Sequence, residues 1–512
     1  MENKREDGNR KLLPLMEFKR TLVDNVLSTY KKSEHNILQT WTVMGVLLNM
    51  FGQGLVLSYP SVLLPALLKP ESDIKVDLYT ASWVASIIGI AGIPGFVTSS
   101  LLMDIYGRKL AHAVVVVPAI VNWFLIYSAT NVPVLLIGRA LGGMAAGATV
   151  SLGAIVIGEY TSPRNRGMFL NLQTTAVCIG YMAVHIFGHF YTWKTIALIA
   201  VIPHIAALLI ICTWPESPSW LVAQKRFEES KKSFYWLRGQ SEEATLEIEE
   251  LIRAQKEKVE YSVSSSSIFS MFVEFLKKFT KRDFLKPLLI VVFCGLLLES
   301  CGRHIFPAYA IQIIEEVTGN KTQSFYYTLG IDLIITASAL FSSVLVKLMK
   351  RRTLLLSTGF AALFVLMCVC LYLYLSSAAI ISKDNTWIPI SLFAIYFILA
   401  NLGCTPIPLA LLGEVFPLAH RGAGSSAGGF LLSIYVMAGL QVTPFLLVSL
   451  KVYGTFAVFG SLMGVALVAL YFILPETKDK TLQQIEDYFN FGRFKEERVD
   501  RDEEAKMQMM PK

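Results

Sequence analysis

Three ionisable side chains interrupt a strongly apolar stretch in the second half of the chain: Glu299, Arg303 and His304. Glu299 and Arg303 are four residues apart, so on a helix they would share one face. Together they could meet a polar or anionic solute, work a gate, or carry a proton through His304. One alternative is that Glu299 and Arg303 neutralise each other beside Asp332 and only specify packing; another is a structural pair of Arg303 with Asp332. Ionisable groups are costly inside a bilayer, so we favour a functional role.

Charged residues also recur with the same spacing in the two halves of the chain. The pattern Glu-x6-Arg-Gly begins at Glu159 and again at Glu414, 255 residues apart in a chain of 512. A Pro-Glu-Ser/Thr tripeptide follows each copy, directly after a long apolar run, at 215–217 and 475–477. In a very apolar chain, such repetition indicates two parallel half-repeats, as in one class of secondary transporter.

The composition is that of a membrane protein. Hydrophobic residues make up 54% of the chain and charged residues only 17%, against about 25% charged residues in soluble domains. The net charge of +7 comes from loops that flank apolar runs, so no nucleic-acid partner is expected. The first forty residues are polar, which argues against a cleavable signal peptide. The seven cysteines lie in apolar runs and indicate packing rather than a disulfide framework.

Twelve apolar runs, each of about 20 residues or slightly more, predict an all-α integral membrane fold. Lys and Arg concentrate in alternate loops, which puts both termini in the cytoplasm by the positive-inside rule. The sequon at Asn320 falls in a loop predicted to be external, which agrees with this orientation and predicts a glycosylated residue. The spans lie near 43–66, 80–103, 111–130, 132–157, 168–190, 195–214, 286–311, 325–347, 353–376, 387–412, 423–450 and 454–474.

These spans form two six-helix bundles joined by a cytoplasmic linker. The linker is rich in Glu and Lys, which is typical of a solvated helical connection and not of a catalytic domain. The expected parts are an N-terminal tail, a first bundle, the linker, a second bundle and a C-terminal tail, with the bounds 1–42, 43–214, 215–285, 286–474 and 475–512.

Several short motifs occur along the chain in an order that one family shares. They are Asp104–Lys109, Gly138-Arg139, Glu159…Arg166-Gly167, Pro215–Pro218, Pro406–Pro408, Gly413–Pro417 and Pro475–Lys478. This set resembles the sugar porter family of the major facilitator superfamily, and it covers almost the whole chain. The residues Ser58–Ser61 in span 1 and Ser82–Ser86 in span 2 are most similar to the insect facilitated trehalose transporter branch.

The resemblance implies two bundles that rock about a central site and a cytoplasmic gate made of ion pairs. Each pair is worth little alone but more in a network. The alternative is that the basic residues are only topological anchors, which we favour for Arg351 and Arg352, because Lys347 and Lys350 replace the family's pattern there. The gate candidates are Asp104, Arg108, Arg139, Glu159, Arg166, Glu216, Glu414, Arg421 and Glu476.

The solute site is where the chain departs from the family's pattern. Sugar porters hold hydroxyl groups with Gln, Asn and Trp side chains, because amides both donate and accept hydrogen bonds. This chain has Leu298–His304 where the family has its span 7 amides, and Leu409 where the family has Trp. Gln441 in span 11 is a local substitute. The substrate-binding candidates are Gln173, Thr174, Glu299, Arg303, His304, Pro406, Pro408 and Gln441.

The sequence also bears on energy coupling. Proton-coupled sugar porters carry an Asp in the middle of span 1, whereas residues Thr42–Ser58 contain no acid. No Gly-x4-Gly-Lys-Ser/Thr phosphate loop occurs. Facilitated diffusion is therefore favoured, although Glu299 or Asp332 with His304 leaves proton coupling open. His185 and His189 have no evident third ligand, so we expect packing and not a metal site.

The leading hypothesis is a plasma membrane uniporter for a small-molecule sugar such as trehalose or a hexose. It would act as a monomer in the lipid bilayer, without a cofactor, a metal or catalytic activity. One alternative keeps the fold but carries a polyol or a small organic anion. A second alternative is a non-transporting sensor, which the short tail of about 35 residues after Thr477 disfavours.

Overall fold

In the residues that the computed structural model describes, the regular structure is helical throughout. The described residues are 36–261, 282–381, 385–416, 421–478 and 488–489. Most of the two predicted tails lies outside these ranges. The chain forms two compact units. The first contains the described residues up to 261 together with Pro307–Gln312, and the second contains the other described residues.

The first half has six described helices that are long and apolar enough to cross a membrane. They correspond to predicted spans 1–6, although the described part of the first is already helical at Asn36, before the predicted start at 43. The side chains of Asp77 and Asn131 cap the N-termini of two of these helices. Each accepts a hydrogen bond from the main-chain N–H three residues later. The helices are α1 (Asn36–Leu67), α2 (Leu78–Tyr106), α3 (Arg108–Ser128), α4 (Val132–Tyr160), α5 (Pro163–Phe190) and α6 (Trp193–Cys212).

The described part of the predicted linker forms three short helices: α7 (Pro218–Ala223), α8 (Phe227–Arg238) and α9 (Glu242–Tyr261). Apolar side chains at helical spacing, among them Val222 and Phe234, form a small core between them. Arg238 fixes α8 to the first bundle by donating a hydrogen bond of 2.8 Å to the carbonyl of Thr161. Burial lowers the pKa of Arg238, and the nearby carboxylate of Glu247 opposes that shift.

The second half contains the other six membrane crossings of the described chain. Two of its spans are broken, by a turn after Ser300 and by a short π-helix at Ala400–Cys404. The helices are α10 (Arg282–Ser300), α11 (Ile305–Thr318), α12 (Lys321–Leu348), α13 (Arg351–Ser377), α14 (Trp387–Leu399), α15 (Pro406–Glu414) and α16 (Arg421–Ile473).

The last two crossings are joined without a loop. The helix α16 has 53 residues, which at 1.5 Å per residue exceeds twice the thickness of a bilayer core. Lys451 interrupts it with a φ of 57°, and the N–H of Val452 that this corner frees donates to Glu316 Oε1 at 3.0 Å. Because this corner divides α16 into two crossings, the eleven membrane-length helices of the described chain make the twelve crossings that the sequence predicts.

Glycines bring α2 and α4 into backbone contact. A Cβ atom on Gly143 would lie 2.4 Å from the carbonyl oxygen of Ile88, and one on Gly147 would lie 2.4 Å from that of Gly92. Without these side chains the two helices approach closely, as at other small-residue interfaces in membranes. The Gly-rich stretch of α4 is therefore a packing surface and not a phosphate loop.

We expect Gly143→Ala to lower the melting temperature of the detergent-solubilised protein. The added methyl group would overlap the main chain of α2, and overpacking of this kind costs roughly 1–3 kcal/mol. Gly158→Ala, on the same helix, meets no atom within 4 Å and should leave stability unchanged or slightly raise it. Size-exclusion chromatography after heating measures both variants. Equal melting temperatures would contradict this account of the packing.

Candidate functional site

The span made of α10 and α11 is discontinuous at residues 301–304. Gly302 has a φ of 82°, a value that glycine adopts without the strain other residues would incur. The turn lies in the middle of a span that runs from Phe284 to Thr318. Breaks at this depth place main-chain groups and side chains inside the protein, where transporters commonly bind their solutes.

Glu299 and His304 face each other across this break. His304 Nδ1 lies 2.7 Å from Glu299 Oε2, and only 7% of the Glu299 side chain is exposed. The other carboxylate oxygen, Oε1, is buried without a hydrogen-bond partner in the protein. It packs against α16, because a Cβ atom on Gly439 would lie 2.8 Å from it. The pair therefore leaves one buried carboxylate oxygen without a hydrogen bond from the protein.

Arg303 does not neutralise Glu299. The carboxylate pairs with His304 instead, and within the described residues Arg303 forms no ion pair, although it is half-buried. The i, i+4 geometry that would join Glu299 and Arg303 requires a continuous helix, whereas α10 ends at Ser300. Asp332 is buried in α12. The direct ion pair between Glu299 and Arg303 that the four-residue spacing suggests is therefore not formed.

A second discontinuity adjoins the first within the second unit. The π-helix Ala400–Cys404 separates α14 from α15, and the hydroxyl of the fully buried Tyr396 donates to the carbonyl of Cys301 at 2.9 Å. The bond satisfies a carbonyl at the break after α10 and ties the two broken spans together. Sequence reasoning missed Tyr396, because a Tyr in an apolar run gives no signal of its own. Of the predicted prolines, Pro406 is partly exposed and Pro408 is buried.

Further polar candidates for the solute site lie on other helices. In the first unit, Gln173 of α5 is half-buried and its Nε2 has no protein partner. Thr174 beside it is also half-buried. In the second unit, Gln441 of α16 is half-buried. Sequence reasoning missed Asn49 and Gln53 of α1, each of which has an unpartnered polar amide atom.

A charged cluster joins the ends of α3 and α4 in the first unit. Arg108 Nε and Nη2 donate to Glu159 Oε2 and Oε1, each at 2.8 Å. The Ser217 hydroxyl also donates to Glu159 Oε2, at 2.5 Å. The arginine and glutamate side chains are 16% and 18% exposed, so solvent screens this bidentate pair less than a surface pair. Two of the predicted gate residues are thus in direct contact.

Glu216 caps a helix rather than pairing with a basic side chain. Its Oε1 accepts the N–H groups of Arg108 at 2.7 Å and Lys109 at 3.2 Å, which start α3. The partial positive charge at the N-terminus of α3 also stabilises a carboxylate at this position. Gly107 before the helix has a φ of 90°, and a Cβ atom there would lie 2.5 Å from Glu216 Oε2.

Glu476 makes the corresponding contacts in the second half. Its carboxylate accepts the N–H groups of Arg351 at 3.0 Å and Arg352 at 3.1 Å, which start α13. The repeat seen in the sequence is therefore a repeat of hydrogen bonds. The Arg352 guanidinium bonds to the carbonyl of Tyr471 at 2.7 Å. The side chains of the predicted gate residues Glu414 and Arg421 lie outside the described residues.

The prediction that groups Arg139 with the cytoplasmic gate is wrong. Arg139 precedes Glu159 by twenty residues on α4, a separation of about 30 Å along a helix. Its side chain is fully buried, with Nε 3.0 Å from the carbonyl oxygen of Val84 and Nη1 2.7 Å from that of Val56. The position of a motif along the sequence did not reveal at which end of the span this residue lies.

Two further gate candidates differ from expectation. The side chain of Asp104 is exposed, and its contact with the linker is through its carbonyl, which accepts a hydrogen bond of 3.1 Å from Trp220 Nε1. Arg166 Nε is buried without a partner, and no carboxylate of the described chain pairs with it. The positive charge of Arg238 lies nearby instead.

Comparison with known proteins agrees with this architecture. The model of the family described as Sugar (and other) transporter matches residues 32–489. The facilitated trehalose transporter Tret1 of Polypedilum vanderplanki is 28% identical over 496 residues, covering 94% of this chain and 95% of that protein. Tret1 of Aedes aegypti is 27% identical over 466 residues, which cover 90% of this chain. The aligned part is only 56% of that relative, so the chain spans about half its length.

A solved structure gives the fold independently. The proton:xylose symporter XylE of E. coli, with 6-bromo-6-deoxy-D-glucose bound, superposes with a TM-score of 0.69 at 16% identity. The match covers 90% of this chain and all of the other. It shows the major facilitator arrangement of membrane helices that the motifs predict. Since the family model also matches nearly the whole length, the chain belongs to the sugar (and other) transporter family.

Proposed function

We propose that this protein carries a neutral sugar, trehalose or a hexose, across the plasma membrane by facilitated diffusion with alternating access. The family, the trehalose transporters among its relatives and the fold all support passage of a small solute. The proposal requires no cofactor and no catalytic step, so we expect a carrier and not an enzyme.

The carboxylate of Glu299 beside the broken span carries the proposal. Its Oε2 is held by His304, whereas its buried Oε1 has no partner in the protein. An ionised carboxylate only accepts hydrogen bonds, which suits the hydroxyl groups of a sugar. It would repel an anion, so Glu299 disfavours the alternative of an anionic cargo.

Arg139 donates to backbone carbonyls and pairs with no carboxylate of the described chain, which favours facilitated diffusion. Two of its nitrogens donate to the carbonyls of Val56 and Val84, and residues Thr42–Ser58 of α1 contain no acid. A carbonyl cannot take up a proton at physiological pH as a carboxylate can. The proton-coupled members of the family place an Asp in this part of the first span.

The cluster of Arg108, Glu159 and Ser217 is our candidate for a cytoplasmic gate. Its members lie at helix ends, where a small movement of α3 against α4 would break a bidentate pair.

A cytoplasmic position for this cluster puts both termini in the cytoplasm and Asn320 outside the cell. Asn320 is exposed, and its Oδ1 caps α12, which leaves the amide nitrogen for the predicted glycan. We expect the monomer to be sufficient for transport.

Glu299→Gln should raise the KM for the transported sugar by about tenfold or more. The substitution keeps the side chain's shape but removes the charged acceptor, and a hydrogen bond to a charged group contributes roughly 1.5–3 kcal/mol. Initial uptake rates in oocytes, normalised to protein at the surface, measure the effect. Glu315→Gln, an acid near the outer end of the same span, should leave KM unchanged. An unchanged KM for Glu299→Gln would refute the assigned role.

Labelled trehalose or glucose should accumulate only to its external concentration. Facilitated diffusion predicts the same plateau with and without an inward pH gradient, because no ion is moved with the solute. Accumulation above the external concentration that depends on the gradient, and that Glu299→Gln abolishes, would instead establish proton coupling through the Glu299–His304 pair.

The same assay separates the remaining cargo alternatives. A polyol and a small organic anion are offered in parallel with the sugars. Uptake of the anion that Arg303→Ala abolishes would replace the sugar assignment. Surface protein that takes up none of these solutes would favour a sensor.

Glu159→Gln should lower the maximal uptake rate and leave KM within about twofold, because Glu159 holds Arg108 and does not belong to the candidate solute site. The matched control is Glu229→Gln, which breaks an exposed ion pair with Arg226 in the linker. Surface pairs contribute little, so this control should transport like the unsubstituted protein. Equal rates for both variants would contradict a gating role for the first pair.

A further inference from the structure

A small cavity with mostly apolar walls and a few polar side chains lies inside the first bundle. It is lined by residues of α1, α3, α4 and α6, among them Asn49, Gln53, Thr149 and His204. The volume within which the centre of a water molecule could lie is about 10 Å³. That volume is close to the minimum that holds one water molecule.

Several polar atoms of this lining have no hydrogen-bond partner in the protein. They are Asn49 Nδ2, Gln53 Oε1 and both ring nitrogens of His204. The Asn49 and His204 side chains are each only 3% exposed. Native proteins satisfy nearly all buried polar groups, so several such atoms around one cavity point to a ligand that hydrogen-bonds to them.

The unpartnered atoms provide both donors and acceptors. Asn49 Nδ2 is a donor and Gln53 Oε1 an acceptor, while a neutral His204 offers one of each. Water is the small molecule that can use such a mixed set, and buried waters typically make about three hydrogen bonds. We propose that this cavity is a binding site for one ordered water molecule that joins Asn49 and Gln53 of α1 to His204 of α6.

A cation fits this lining less well. The described lining contains no carboxylate, and the Thr149 hydroxyl already donates to the carbonyl of Ala145 at 2.7 Å. An amide N–H₂ group that points into the cavity would repel a metal ion, which prefers oxygen ligands. Protonation of His204 would likewise leave a buried charge with no acid in the lining to compensate it. The site is therefore neutral.

The water would link two helices that already touch. His204 lies directly on the backbone of α1, because a Cβ atom on Gly52 would be 2.2 Å from its Cε1 atom. Direct packing fixes the distance between the helices, and the water supplies hydrogen bonds that the side chains cannot form with each other. The site would thereby hold Gln53, a half-buried amide in the middle of the first span, in one orientation.

A high-resolution map of the purified protein tests the site directly. We expect a density peak in the cavity within hydrogen-bond distance of Asn49, Gln53 and His204. A cavity without density in a map that shows ordered waters elsewhere would overturn the proposal. The readout does not depend on sugar uptake, so its failure is distinguishable from failure of the proposed function.

A pair of histidine substitutions tests the energetics. His204→Phe keeps an aromatic ring but removes the ring nitrogen that would bond to the water, so we expect the melting temperature to fall by at least about 2 °C. His112 is the matched control, because it too is fully buried with both nitrogens unpartnered, yet it does not line this cavity. Its ring packs edge-on against the Trp214 ring, with 5.5 Å between the ring centroids.

His112→Phe should leave the melting temperature unchanged or raise it, since it removes unpartnered polar atoms without removing ring contacts. If His204→Phe behaves in the same way, the cavity is dry and the proposal is overturned. Should His204→Phe not fold, Asn49→Leu removes the amide donor at similar volume. It is expected to lower the melting temperature and weaken the density peak, and unchanged values for both would again overturn the proposal.

Discussion

The core of a bilayer offers no hydrogen-bond partner, so every main-chain group that leaves a helix must be met by the protein itself. The breaks in this chain follow that constraint. Tyr396 donates to the carbonyl of Cys301 at the break in one span. At the corner of α16, which lies at the ends of two crossings, Glu316 likewise accepts the N–H of Val452. Discontinuous helices at a candidate site are therefore possible only because neighbouring spans supply side chains of the right polarity.

The same constraint explains how a fully buried arginine is tolerated. Arg139 reaches the carbonyls of Val56 and Val84, which are partial negative charges that a helix already provides. At the helix ends, carboxylates do the converse. Glu216 and Glu476 accept the first N–H groups of α3 and α13 in equivalent positions of the two halves. The internal repeat of the sequence is thus also a structural repeat where these glutamates satisfy the backbone.

Much of the fold follows from the sequence, because hydrophobic length and loop charge depend on composition alone. The twelve spans are of this kind. The contact between Arg108 and Glu159 joins two residues that the family resemblance, and not composition, grouped as gate candidates. The solute site was less predictable. The four-residue spacing of Glu299 and Arg303 suggested a shared helix face, but the helix ends at Ser300 and the carboxylate meets His304. A pattern that assumes helical geometry fails where the helix breaks, and a lone buried residue such as Tyr396 carries no pattern.

The corner at Lys451 has a consequence for how the chain enters the membrane. The last two crossings are joined by one residue of positive φ and no loop. They can therefore reach their final positions only as a helical hairpin, and neither can be delivered to the bilayer long before the other. Residues 448–451 at the corner are exposed, but they belong to the helical hairpin and not to a loop. An inserted tag would therefore disrupt the corner, whereas insertions at loop tips are usually tolerated. Reporter groups for this half of the protein belong at other loops.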